Sequence, residues 1–166
     1  MDETAYSANA EIDEVLKTYS DMVYKLALSR AKNVSDAEDI FQEVFLKYIS
    51  SDMTFESEEH RKAWLIRVTI NCGKKMFTSA WLRHRAPLDD AGELSSDPVK
   101  TFDEDGLYTA VKNLPSSYRT IVHLFYYEDM SIRQISEALN KKEGTVKSQL
   151  NRARALLKKE LGGNSI

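Results

Sequence analysis

Val15, Tyr19, Met22, Val23 and Leu26 recur at helical spacing and predict an amphipathic helix over about 11–31. Asn33-Val34 interrupts it. Ser35, followed three residues later by Glu38, has the form of a capping box. It would open a second helix whose apolar side is Ile40, Phe41, Val44, Phe45 and Tyr48, ending near residue 50. Residues 51–58 are polar and read as a loop. A third helix, about 59–80, sets Trp64, Leu65, Val68 and Cys72 on one side. Three helices with short connections can bury a common core.

Periodicity then stops. Residues 86–105 hold Pro87, Gly92, Ser95-Ser96 and Pro98 and show no apolar repeat, so they read as a linker. Beyond it, Leu107, Ala110, Val111 and Leu114 predict a short helix stopped by Pro115. Ser116 or Ser117 can cap the next one, whose core side is Ile121, Leu124 and Phe125. Ser131 and Gln134 form a second capping box, opening a helix to about Leu139. After the turn Asn140-Lys141-Lys142, a last helix from about Glu143 to Leu161 carries Val146, Leu150, Ala153 and Leu157 inward. The predicted fold is all-α: two small helical domains, 1–85 and 106–166, joined by a flexible acidic linker, 86–105. The second domain ends in a helix-turn-helix.

Composition narrows the class. Of 166 residues, 42% are apolar, enough for packed cores, and 30% are charged, enough for a well-solvated surface. The longest nearly apolar run, Ile121–Tyr127, is far short of the ~20 residues that span a bilayer. Met1-Asp2-Glu3 lacks the basic-then-apolar layout of a signal peptide. Cys72 is the single cysteine, and a lone helical cysteine reads as a small core residue. His60, His84 and His123 follow no zinc spacing, and no P-loop or nucleophile elbow is present. These features predict a soluble, cytoplasmic protein without metal, cofactor or catalytic residues.

Charge adds the functional signal. The net charge of -3 hides segments of opposite sign. Residues 1–59 hold 14 acids and 5 bases, and 86–105 hold 7 acids and 1 base. Residues 60–85 hold 7 bases and no acid, and 139–166 hold 7 bases and 2 acids. Two basic segments that are also helical point to two polyanion-facing surfaces. In the last helix, the inward positions leave Gly144, Lys147, Ser148, Asn151, Arg154 and Lys158 on the free side, with Gln149 and Arg152 flanking. A recognition helix needs such a set: Lys and Arg for guanine or phosphate, Asn for adenine, and Gly for close backbone approach. An ordinary helical hairpin with a basic face is the plain alternative. In the third helix, Arg67, Asn71 and Lys74 share a face and suit single-stranded DNA, whereas Trp64 reads as core. Asp39, Gln42 and Glu43 on the second helix read, by pattern alone, as a solvated face.

Three motifs then carry a resemblance. Asp36-Ala37-Glu38-Asp39-Ile40-Phe41-Gln42-Glu43-Val44-Phe45-Leu46 resembles the core-polymerase-binding helix in region two of bacterial sigma factors. Ala63-Trp64-Leu65-Ile66-Arg67-Val68 with Asn71 resembles the −10-reading helix of that region. Leu114-Pro115, Tyr118-Arg119, Gly144-Thr145-Val146-Lys147-Ser148 and Arg152-Ala153-Arg154 resemble region four, which reads the −35 element. The chain therefore resembles an extracytoplasmic-function (ECF) sigma factor over about residues 10–162. The resemblance implies that Asp39, Gln42 and Glu43 meet the β′ clamp helices of core RNA polymerase, with the β subunit a further partner. It implies that Arg67, Asn71 and Lys74 bind the single-stranded −10 element, and that loop 51–59 holds a flipped base. It also implies duplex −35 binding by the last helix, an anti-sigma factor as partner, and no membrane insertion. The rival readings are a helix-turn-helix repressor or activator acting without polymerase, and a helical adaptor that binds only protein.

Overall fold

The computed structural model describes residues 3–31, 33–83 and 106–162. The linker 86–105 lies outside the described residues. Among those described, the chain is helical without a strand: α1 Glu3–Arg30, α2 Val34–Ser50, α3 Glu58–Arg83, α4 Leu107–Lys112, α5 Ser116–Val122, a π-helical turn His123–Tyr127, α6 Ile132–Leu139 and α7 Glu143–Glu160.

Helices α1, α2 and α3 pack on one another around Val23, Leu26, Ile40, Val44, Leu65 and Ile66, all essentially sealed from solvent. Thr69 is buried among them, and its hydroxyl donates back to the Leu65 carbonyl at 2.6 Å, so no polar group is left unpaired there. Tyr19 ties α1 to the start of α3 by donating to Glu58 Oε2 at 2.6 Å. Burial, reinforced by that carboxylate, pushes its phenol up to about 12. Arg61 bridges Glu58 and Glu11 and lies over the Phe55 ring. Gly73 lets α3 close on the end of α1, since a Cβ there would stand 3.2 Å from Arg30 Cβ.

The second unit wraps α4, α5 and α6 around α7. Its core is Ile121, Leu124, Ile135, Val146, Leu150, Ala153 and Leu157. Ser131 caps α6 in a full capping box: Gln134 N–H donates to Ser131 Oγ at 3.1 Å, and Ser131 N–H donates to Gln134 Oε1 at 2.9 Å. The turn into α7 is fixed by Asn140 at φ 53°, a left-handed conformation that asparagine tolerates. Ser136 Oγ donates to the Lys141 carbonyl at 2.7 Å across the same turn.

Five local expectations are corrected. The second helix is capped by Asn33, not Ser35: Asn33 has extended φ/ψ, and its Oδ1 accepts from Asp36 N–H at 2.8 Å, which places Ser35 already inside the first turn. Neither Ser116 nor Ser117 caps α5, which starts behind Pro115 with no side-chain cap. The helix that follows does not run on as an α-helix but widens into the π-turn His123–Tyr127. Helix α1 also begins well before residue 11, and α3 extends past 80 to Arg83.

Candidate nucleic-acid and polymerase interfaces

Helix α7 is held by its buried stripe, Val146, Leu150, Ala153 and Leu157, so its opposite face is fixed in direction. Gly144, Lys147, Ser148, Asn151 and Arg152 are all exposed on it. A Cβ added at Gly144 would meet nothing within 4 Å, so the start of the helix is open for close approach. Arg154 is different. It is half-buried, donates from Nε to Tyr126 Oη at 2.7 Å, and lies over the Phe125 and Tyr126 rings at 5.4 and 5.7 Å. It braces α7 against the π-turn while staying at the edge of the exposed basic face.

Helix α2 buries Ala37, Ile40, Val44, Phe45 and Tyr48, leaving Asp39 and Gln42 exposed and Glu43 half-buried. Glu43 lies 3.5 Å from Lys47 Nζ and 3.8 Å from Lys75 Nζ. Away from the buried stripe, on the side of Gln42 and Glu43, lie Leu46 and Ile49, 64% and 52% exposed. Two large apolar side chains therefore stand in water beside the polar ones. Their signal was in the sequence, since Leu46 falls four residues after Gln42 and three after Glu43, and Ile49 three after Leu46.

Arg67, Asn71 and Lys74 do share a face of α3, and that face meets the second unit. Arg67 donates from Nε to the Ala138 carbonyl at 3.3 Å and from Nη2 to the Glu137 carbonyl at 3.1 Å. These carbonyls lie in the last turn of α6, where the negative end of the helix dipole favours a cation. Arg30 donates to Thr120 Oγ1 at 2.9 Å and to the Ser116 carbonyl, and Arg119 donates to the Ser29 carbonyl at 2.5 Å. Burial pulls both Arg30 and Arg119 below the usual guanidinium range, and the Arg119 charge lowers Arg30 further.

Trp64 is half-buried among Tyr48 and Phe55, edge-on to both. Phe55 also stacks on Tyr48 and meets His60 edge-on, so the loop 51–57 turns its aromatic residue into the first unit. Cys72 is buried, and burial raises its thiol, in keeping with a core role. Among the described residues no cluster of His, Cys, Asp and Glu could hold a metal, and no helix is long and apolar enough to cross a membrane.

The family models agree with this two-part architecture. Sigma-70 region 2 matches residues 15–83, and Sigma-70 region 4 matches residues 105–157. The ECF RNA polymerase sigma factor SigW of Bacillus subtilis (strain 168) is 30% identical to the chain, over 89% of this chain and 87% of that protein. The chain belongs to the ECF sigma factors of RNA polymerase. A second relative, RNA polymerase sigma factor SigV of the same organism, is 32% identical over 83% of each. The fold of this sigma factor is that of RpoE from Bartonella quintana, solved with the anti-sigma factor NepR (TM-score 0.70, 19% identity, 93% of this chain and 99% of that one). It is likewise that of CnrH, solved with the cytosolic domain of CnrY (TM-score 0.68, 18% identity, 97% and 96%). The family consists of transcription initiation factors and not of enzymes, so a polymerase-independent repressor or activator is not favoured.

Proposed function

We propose that this sigma factor binds core RNA polymerase through Asp39, Gln42 and Glu43 on α2, the apolar Leu46 and Ile49 completing that surface. Residues 1–85 act as the polymerase- and −10-binding domain, 106–166 as the −35-binding domain, and 86–105 as the connection between them. Helix α7 reads the duplex −35 element with Lys147, Ser148 and Asn151, backed by Gly144, Arg152 and Arg154 at the phosphates. Arg67, Asn71 and Lys74 hold the unpaired −10 strand and favour its melting. A single observation carries the reading: α7 presents an exposed row of Lys, Ser, Asn and Arg directly opposite its sealed stripe. A recognition helix in the major groove requires that division. The chain acts in the cytoplasm, where the polymerase is. An anti-sigma partner is supported by the neighbour RpoE, solved with the anti-sigma factor NepR.

Permanganate footprinting tests it. Unpaired −10 thymines should become reactive only when chain and core polymerase are both present, and Arg67→Ala with Asn71→Ala should reduce that signal more than it reduces initial duplex engagement. Undiminished melting by the double variant at saturating holoenzyme would contradict the −10 assignment.

A further inference from the structure

The two units border an open cleft of about 100 Å³ between α1 and α3 on one side and α5 and α6 on the other. Arg30, Arg67, Asn71, Lys74, Thr120 and Lys141 contribute to its wall, and no described carboxylate does. Four cations thus face one small space without a counter-charge. Burial lowers the Lys141 ammonium, and the like charges of Lys74 and Arg30 lower it further. Arg30 Nε is buried without an acceptor, an arrangement that costs free energy unless something fills it. The space holds about three waters at ~30 Å³ each, room for one tetrahedral oxyanion and far too little for a DNA strand.

We propose that this cleft is a binding site for a small phosphate-class oxyanion, free phosphate or the terminal phosphate of a small metabolite, and that its occupancy holds the two units closed on each other. A phosphate offers several acceptor oxygens to donors converging from different directions. Arg30, Asn71, Lys74 and Lys141 line the space from both units and carry such donors, Lys141 Nζ also donating to Gln149 Oε1 at 3.3 Å. Because the walls come from both units, an anion that needs all of them binds only the closed arrangement and stabilises it by mass action. In that arrangement Arg67 is engaged by α6 carbonyls, so the anion would oppose release of the α3 face. This last consequence rests on the −10 assignment given above, whereas the binding itself does not.

The probe is inorganic phosphate, titrated at constant ionic strength into the full chain without polymerase or DNA. Amide spectra are read at Asn71, Thr120 and Lys141. A spin-label pair on the exposed Lys17 of α1 and Arg133 of α6 reports closure. One-site saturation and a narrower, closed distance distribution are expected. Lys141→Gln should weaken binding about tenfold, the effect of one charge-assisted hydrogen bond, and Lys142→Gln, an exposed neighbour off the cavity wall, should leave it unchanged. Non-saturating shifts, equal losses in both variants, or a distribution that opens on adding phosphate would overturn the proposal. Each of these would leave polymerase-dependent melting, and hence the sigma reading, untouched.

Discussion

Leu150 and Asn151 are neighbours on α7 that point opposite ways, and the account assigns them opposite roles. Leu150 is 1% exposed in the centre of the second unit. Truncating a buried leucine to alanine costs about 2–5 kcal/mol, from lost burial plus the cavity left behind. A unit of this size holds only about 3–9 kcal/mol at typical stability per residue, so Leu150→Ala removes a large part of it. Asn151 is exposed, and alanine is the better helix former, so Asn151→Ala should change stability by less than about 0.5 kcal/mol. If Asn151 is bidentate to an adenine, its loss should cost about 1–3 kcal/mol at that base. The assay pairs urea unfolding of the full chain, followed by circular dichroism, with transcription from templates altered one −35 base at a time. Leu150→Ala should lower the midpoint and weaken every promoter alike. Asn151→Ala should keep the midpoint and lose discrimination at one base. The reasoning fails if Asn151→Ala destabilises by more than about 1 kcal/mol while its base preferences stay intact.

Gln42→Ala with Glu43→Lys should weaken capture of core polymerase in a pull-down with little change in melting temperature, and native affinity would remove α2 from that interface. Lys147→Ala should change the preferred −35 bases. Arg154→Ala should instead weaken all promoters and lower stability by about 1 kcal/mol, because it also loses the Tyr126 hydrogen bond; promoter profiling and a melting curve separate the two. Ser131→Ala removes the cap of α6 and should cost about 1 kcal/mol in urea unfolding, with Ser131→Asp retaining most of it. His123 is buried near Lys25 and Glu128, and burial, then Lys25, lowers its imidazole to about 4. The unfolded chain binds the extra proton first. Stability from keeping His123 neutral is therefore full above pH ~6.5 and is lost as pH falls toward about 4, by at most about 3 kcal/mol. His123→Leu should flatten that part of a stability–pH profile, and an unchanged slope would exclude His123 as its source.

The elements that local chemistry decides were legible in the sequence. The Ser131–Gln134 box set the start of α6, and the 146, 150, 153, 157 stripe set the direction of α7, because each needs only residues within a turn or two. The cap of α2 was misplaced because Asn33 and Ser35 are both good caps, and backbone angles rather than composition choose between them. The π-turn left no mark, since a one-residue widening over five residues leaves no period to detect. The contacts between units were least legible. Arg67 bonds to backbone carbonyls about seventy residues away, and a carbonyl acceptor has no letter in the sequence. A basic face spaced for DNA and one spaced for a helix end look the same until the second unit is in place.

Transcription from a library of random promoters, run with core polymerase alone, the chain alone and both together, tests the central claim most directly. The account predicts transcripts only from the combined reaction, enriched for one −35 and one −10 sequence at a fixed separation. Enrichment that is the same with core polymerase alone, or duplex selection by the chain that never yields transcripts, would contradict it.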